Sequence, residues 1–298
     1  MNVPLPLLLK IAAVAATGTA VIFSVRHHLR TTAIHSLQRS IHHALLCLPS
    51  GGPPAILVAG FRGHGKSAFV NTVCRVLAGD VGPMLLRTET APAGGSSATI
   101  GRWVVRVTAE SGGCGCVEEM GVVELVDGPP LPEPEEVTRA DVEAALIAAV
   151  AQDGGDGGVG RMPECVVVML SCSRTAGELQ LAVRRLSKIA GVVRKLGMHL
   201  LVVLTHKKSI RNWKQAEELR KEVALRARTD CVYFIENYTA NCSIKCRTPG
   251  ALKNHFDTHV AALTIIRQCV EFATHHRRQS PPRKMLDSAA TQLNDHEL

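Results

Sequence analysis

Gly60-Phe61-Arg62-Gly63-His64-Gly65-Lys66-Ser67 has the residue types and the spacing of a loop that holds phosphate. It fits Gly-x-x-x-x-Gly-Lys-Ser/Thr at every fixed position. Glycines let backbone N–H groups turn inward toward phosphate oxygens. A following helix, from Lys66 through Ala68, adds the positive end of its dipole. Lys66 is expected to reach the β- and γ-phosphates, and the Ser67 hydroxyl suits Mg2+. Gly60, Arg62, Gly63, His64, Gly65, Lys66, Ser67 and Ala68 are therefore the expected phosphate-side contacts of a nucleoside triphosphate. A carboxylate must also reach the cation. "VVELVDGPP" supplies Asp127 at the end of an apolar strand, whereas Glu124 lies inside that strand and points elsewhere. ATPase motors usually place a glutamate directly after this aspartate; here Gly128 follows, which favours a GTPase layout.

These residues need a sheet to position them. The coarse pattern is a strand at 55–59, a helix at 66–78, and a hairpin of 99–109 with 117–127. A helix at 138–152 follows, opened by a capping box from Thr138 to Asp141. Then come the strand "ECVVVMLSC", a helix at 176–196 stopped by Gly197, and the strand "HLLVVLT". A helix at 211–227, the short strand "CVYFIE" and a last helix near 256–275 complete the pattern. Continuous Val and Leu strands alternating with amphipathic helices imply an α/β fold with a mainly parallel sheet covered on both faces.

The 298 residues carry a formal net charge of +8; 46% are hydrophobic and only 3% aromatic, so the core must be aliphatic. The positive charge suits phosphate ligands or an anionic membrane surface. No basic run is interleaved with aromatics, which argues against a nucleic-acid partner. The cysteines make no paired zinc signature. Cys47, Cys74, Cys165, Cys172, Cys231 and Cys269 stand singly among apolar residues, Cys114 and Cys116 sit in a glycine-rich turn, and Cys242 and Cys246 are four apart. That usage fits a reduced, cytosol-facing chain.

From Leu5 to Val25 a single charge, Lys10, interrupts an apolar run. A spanning helix needs about 20 such residues. Arg26 and Arg30 follow directly, so residues 1–25 read as an uncleaved transmembrane anchor with the rest of the chain in the cytosol. Residues 26–48 continue with helical spacing. Ile34, Leu37, Ile41, Leu45 and Leu48 share one face; His35, Gln38, Arg39, His42 and His43 cover the other. This segment either lies on the membrane surface or packs on the globular domain or a partner helix. "PSGGPP" then leads into a domain over 49–276, and 277–298 reads as a disordered polar tail.

The loop "GHGKSAFVNTVCRVLAGDV", the strand "VVELVDG", the block from "CVVVMLSC" to "VVLTHKKS" and the segment "VYFIENYT" occur in an order that resembles GTPase-like proteins of the interferon-induced protein 44 group. The resemblance covers roughly residues 55 to 275. It implies a P-loop, translation-factor-class G domain with GTP and Mg2+ as ligands. It puts Lys66 on phosphate, Ser67 and Asp127 on Mg2+, Thr205 and His206 at the base pocket, and Asn237 in a segment that touches the base. The switch threonine that would complete the Mg2+ shell is Thr88 or Thr90, with Thr99 weaker; Thr90 is the expected ligand.

Three departures from the family pattern bear on activity. The aspartate-x-x-glycine that senses γ-phosphate is Asp127-Gly128-Pro129-Pro130, and no Gln or His follows to hold a water. Lys208 stands where a guanine-selecting aspartate is expected, and as a donor-only group it cannot accept from the base. Glu236 is the nearby carboxylate that could take over. The sequence therefore implies a membrane-anchored, GTPase-like nucleotide binder with slow or no hydrolysis. A non-binding scaffold and an ATP-dependent kinase or transferase are the competing readings. A protein partner or dimerisation stays open.

Overall fold

Six strands form one sheet: β1 (Ala55–Gly60), β2 (Gly101–Arg106), β3 (Val122–Asp127), β4 (Cys165–Ser171), β5 (His199–Thr205) and β6 (Val232–Phe234). Six helices surround them: α1 (Leu5–Leu46), α2 (Lys66–Ala78), α3 (Arg139–Ala151), α4 (Ala176–Lys195), α5 (Trp213–Ala227) and α6 (Phe256–Gln279). The structure is a computed structural model that describes residues 5–49, 51–78, 101–106, 121–151, 162–238 and 255–279. Within these, side chains are described except at 5–16, 78, 101–104, 106 and 149–151.

The strand order is β2-β3-β1-β4-β5-β6. All neighbouring pairs are parallel except β2 with β3, which run antiparallel from Gly101 opposite Asp127 to Arg106 opposite Val122. The hairpin expected ahead of Asp127 is therefore present, at the sheet edge. The order reverses direction at β1, and both the phosphate loop and Asp127 sit at the carboxyl edge there. Ligands bind at such a switch point in open α/β sheets. A phosphate loop between β1 and α2, with one antiparallel edge strand beyond β3, is also the layout expected of a G domain.

Strand periodicity divides the core. Ile56, Val58, Cys165, Val167, Met169, Leu201 and Val203 face α1, α2 and α6. Their sequence neighbours Leu57, Val166, Val168, Leu170, Val202 and Leu204 face α3, α4 and α5. Both faces are covered, so every residue of β1 and β4 is buried, and continuous apolar runs replace alternation. Local signals hold where expected. Asp141 Oδ2 accepts from the Thr138 N–H at 2.9 Å while Thr138 Oγ1 accepts from the Asp141 N–H at 3.2 Å, closing the box that starts α3. A second box, Thr175 with Glu178, starts α4. Gly197 follows α4 at φ 74°, where a Cβ would be strained.

Two boundaries differ from the sequence expectation. First, α1 is one unbroken helix from Leu5 to Leu46, and its second half belongs to the core. Ile41 is fully buried, and Ile34, Leu37, Leu45 and Leu48 pack around it on the α2/α6 side. The amphipathic face thus closes on the globular domain. Second, α6 runs past 276 to Gln279. Arg277, assigned by sequence to a disordered tail, is buried. Its Nε donates to Glu164 Oε1 at 2.9 Å and its Nη1 to the Pro49 carbonyl at 2.8 Å. A polar tail composition hid this residue, because only the fold brings it to Glu164.

Among the described residues no helix is long and apolar enough to cross a membrane. Most side chains of the expected span, those of 5–16, lie outside the described ones. The cysteines at 114, 116, 242 and 246 also lie outside. Cys74, Cys165, Cys172 and Cys269 are free and buried, as expected of small hydrophobes; Cys47 is exposed instead.

Candidate nucleotide site

The phosphate loop is held open by its glycines. Gly60, Gly63 and Gly65 have φ of 147°, 73° and 84°, conformations that side chains resist. At Gly60 a Cβ would also come within 2.6 Å of the Met169 carbonyl oxygen, so β1 can pass β4 there only without a side chain. Lys66 Nζ folds back over the loop and donates to the Gly60 and Phe61 carbonyls at 3.1 and 3.2 Å. Burial lowers the Lys66 pKa, and the charge of Asp127 partly offsets this.

Ser67 and Asp127 meet as expected: Ser67 Oγ donates to Asp127 Oδ2 at 2.6 Å. Asp127 is 1% exposed, and its Oδ1 is buried with no hydrogen-bond partner. Burial raises its pKa to about 6 against the opposing effects of the Ser67 bond and Lys66. A carboxylate oxygen with nothing to accept from, beside a hydroxyl and an ammonium, is a place for a cation or its water. Among the described residues no group of three or more His, Cys, Asp or Glu could hold a metal alone. Mg2+ would thus share Ser67 and Asp127 with phosphate oxygens, and the protein residues present fit it. Glu124 lies opposite Ala55 at the other end of β1, away from the site. Thr88, Thr90 and Thr99 are outside the described residues.

His64 belongs to the loop, but its ring turns under it. Nδ1 accepts from the Ser171 N–H at 3.3 Å, and the ring lies edge-on to Phe61. Burial, helped by Arg174 and Lys66, pushes its pKa down to about 4, so the imidazole is a neutral brace. Only its backbone faces a ligand role. Arg62 holds the outer wall, its carbonyl accepting from Arg174 Nη2 at 3.2 Å. Ala68 lies in the first turn of α2 and its carbonyl accepts from Thr72 Oγ1.

The base side is assembled from three strand ends. Thr205 Oγ1 lies 3.2 Å from the His64 carbonyl, tying β5 to the phosphate loop. His206 adopts a left-handed conformation, φ 57° and ψ 46°, which is uncommon outside glycine. Its Nδ1 sits 3.1 Å from Ser171 Oγ and 3.0 Å from Thr205 Oγ1. Asn237 Nδ2 donates to the Gly65 carbonyl at 3.3 Å, leaving its buried Oδ1 without a partner. Tyr238 N–H donates to Thr72 Oγ1, fixing the segment on α2. The structure therefore brings Thr205, His206 and Asn237 to the loop. Lys208 is exposed, and its backbone N–H donates to Glu236 Oε2 at 3.0 Å.

The loop after β3 closes against β1. Gly128 N–H donates to the Val58 carbonyl at 2.9 Å and Leu131 N–H to the Gly60 carbonyl at 3.1 Å. Pro130 between them has no N–H. Sequence reasoning missed Ser171, Arg174 and this latch. The available signal for the first two was a polar Ser-Cys-Ser-Arg run directly after an apolar strand, at the edge where ligands bind.

No family model matches the chain, and no curated protein matches it. Among solved structures it is similar to a probable GTP-binding protein engB, at 13% identity over 61% of this chain and 88% of that one, with a TM-score of 0.34. A mutation variant of SsGBP has 14% identity, coverage of 75% and 57%, and a TM-score of 0.39. Translation elongation factor SelB from Methanococcus maripaludis, in complex with the GTP analogue GppNHp, has 11% identity, coverage of 63% and 30%, and a TM-score of 0.35. The chain thus spans 57% of the SsGBP chain and 30% of SelB. Likeness this distant assigns no ligand; the strand order and the loop carry the fold. The resemblance to the interferon-induced protein 44 group rests on its motifs alone.

Proposed function

We propose that this chain is a membrane-anchored, GTPase-like protein that binds a nucleoside triphosphate with Mg2+ and hydrolyses it slowly or not at all. The observation that carries the reading is the Ser67–Asp127 pair beside Lys66, with Asp127 Oδ1 buried and unpartnered. Lys66 already points along the loop, so its ammonium can move from two carbonyls to phosphate oxygens with little rearrangement. The cation, when bound, would screen phosphate charge; Ser67 and Asp127 would hold it.

Slow turnover follows from what the β3 loop offers. In G domains a glycine N–H at the position of Pro130 senses the γ-phosphate, and a side chain beyond it orients water. Here Pro130 has no donor and the Leu131 donor is used on Gly60. The same latch favours a second reading, a G-like scaffold that binds nucleotide or none and presents a surface to a partner.

The anchor reading draws support from α1. Residues 17–32 of α1 are all exposed, and Val21, Ile22, Phe23, Val25 and Leu29 are among them. A helix apolar on most sides needs a cover larger than one partner helix. The test of the nucleotide reading is titration of the full chain in detergent with GTP and ATP, in wild type and Lys66→Ala. Losing a charged hydrogen bond of about 1.5–3 kcal/mol should weaken binding roughly 10- to 100-fold. Equal affinity in both would mark the loop as vestigial and leave the scaffold.

A further inference from the structure

The direction of α1 fixes which side of the domain an anchor would approach. α1 and α6 run side by side in the same sense. Near one end the Arg30 guanidinium lies over the Phe256 ring, 5.1 Å from its centroid. Near the other, the Pro49 carbonyl just beyond α1 accepts from Arg277. The start of α6 lies at the carboxyl edge of the sheet, since Thr258 Oγ1 donates to the Glu236 carbonyl at 2.9 Å and the His255 N–H donates to Tyr238 Oη at 2.9 Å. Its end lies at the opposite edge, where Arg277 reaches Glu164 and Phe272 stacks on His199. Upstream of Arg30, α1 therefore leaves the domain at the edge that carries the nucleotide site.

The helix does not bend back, since it is continuous from Leu5. Val25, the end of the apolar run, is five residues above Arg30, or about 7.5 Å along the axis at ~1.5 Å per residue. The headgroup layer on each side of a bilayer is roughly 5–8 Å deep. A span ending at Val25 would thus bring the nucleotide edge to headgroup level.

An independent feature lies on the same edge. Trp213, the first residue of α5, is 74% exposed. Lys207, Lys208, Arg211 and Lys214 around it are all exposed. The acids nearest this cluster are engaged or outnumbered: Glu236 accepts from the Lys208 N–H, Glu217 pairs with Arg220, and Glu218 and Asp257 are exposed. Glu133, Asp141 and Glu178 lie farther along the edge at the starts of α3 and α4. An exposed indole among cations is what a membrane interface retains, with the ring at headgroup depth and the cations on anionic lipid. Leu225, at the other end of the same helix, is 76% exposed but sits next to the opposite edge, near Arg228.

We propose that the nucleotide-binding edge rests on an anionic membrane surface, with Trp213 inserted at the interface. This rests on the anchored reading above. The bilayer is then the near wall of the site, and nucleotide enters and leaves beside the headgroups.

The test uses the full chain reconstituted in phosphatidylcholine vesicles, with and without phosphatidylserine, containing a lipid brominated near the headgroup end of its chain. Tryptophan emission is compared between wild type and Trp213→Phe, so that the Trp103 contribution cancels. The expected result is that bromolipid quenches the Trp213 emission roughly twofold, more so with phosphatidylserine. A Leu225→Trp variant made on the Trp213→Phe background should gain no quenching. Carbonate extraction of the same vesicles reports on the anchor separately. Retention in carbonate with quenching at 225 and not at 213, or at neither, would overturn the orientation and leave the anchor. Release by carbonate would remove the anchor and the proposal with it.

Discussion

Arg277→Ala tests whether the far end of α6 closes the domain. The Arg277 and Glu164 side chains are 8% and 3% exposed. Glu164 Oε1 takes both Nε and Nη2 of the guanidinium, while Oε2 accepts from the Ala55 N–H at 2.6 Å at the start of β1. Arg277 Nη1 also holds Pro49, so one side chain ties α6, β1 and the segment after α1. Removing it leaves a buried carboxylate with its charge uncompensated, which costs about 3–5 kcal/mol. The surviving Ala55 bond puts the expected loss near the lower figure. The lost Pro49 bond adds about 1 kcal/mol. At roughly 2–4 °C per kcal/mol for a domain of this size, the melting temperature should fall by about 10 °C. Glu164→Gln added to Arg277→Ala should recover part of the loss, because a neutral amide keeps the Ala55 bond without a buried charge. Nucleotide affinity should not change at temperatures where both proteins are folded, since the pair lies at the edge opposite the phosphate loop. Thermal and urea unfolding measure the effect. A loss under about 1 kcal/mol, the range of exposed pairs, would show that water reaches Glu164 and that the clamp reasoning is wrong.

Acid should expose two opposed titrations in the ligand-free protein. His64 and His259 fall to about 4 on folding, so the unfolded chain gains protons first as pH drops from 6.5 and stability declines. Asp127 rises to about 6, so the folded state gains its proton first between pH 6 and 3.8 and stability increases. Each of the three shifts carries roughly 3 kcal/mol, so Asp127 offsets about one histidine and a net loss of about one histidine remains. Asp127→Asn removes the compensation, and its urea midpoint should drop more steeply than wild type from pH 7 to 4; parallel profiles would contradict the assignment. Pro130→Gly restores a donor at the γ-phosphate position and should raise the preference for triphosphate over diphosphate by about 10-fold or more, read by competition binding. An unchanged ratio would mean that the Leu131–Gly60 bond holds the loop away. Wild type should prefer GTP over ATP by less than about tenfold (1.4 kcal/mol), and Lys208→Asp should increase that preference. A strong wild-type preference would show that Glu236 reads the base.

The sheet was legible because buried parallel strands must be continuous runs of Val, Leu and Ile, and each ends at a glycine or polar residue. β4 and β5 begin and end within a residue or so of the expected limits for that reason. The phosphate loop was legible because its glycines and lysine answer to local backbone and ligand geometry. What escaped depends on pairs far apart in sequence. Glu164 and Arg277 are 113 residues apart, and nothing near either one marks it as buried. His64 read as a ligand contact, yet its ring braces Ser171 across 107 residues. The second half of α1 showed its apolar face plainly, but an apolar face fits a membrane, a partner or the domain equally. Only α2 and α6 beside it decide among them.

The parts of the site that are present and those that are missing divide along a physical line. Under the proposed reading, Lys66, Ser67, Asp127 and the loop amides would act on phosphates and cation in the bound ground state. Thr205 and the Asn237 amide nitrogen brace the loop from behind, and His206 holds Thr205 and Ser171 in place, while Asn237 Oδ1 keeps an unused acceptor. The missing parts are the glycine donor at 130, a water-orienting side chain after it and a base-reading carboxylate at 208. The first two distinguish the reacting or triphosphate state from the others, and the third distinguishes one base from another. Interactions equal in ground and transition state tighten binding without raising turnover. A site with the first set alone is suited to occupancy. Under the proposed reading, turnover would then be set by a partner that supplies the donors missing among the described residues, or by a surface that governs access to the edge where they would act.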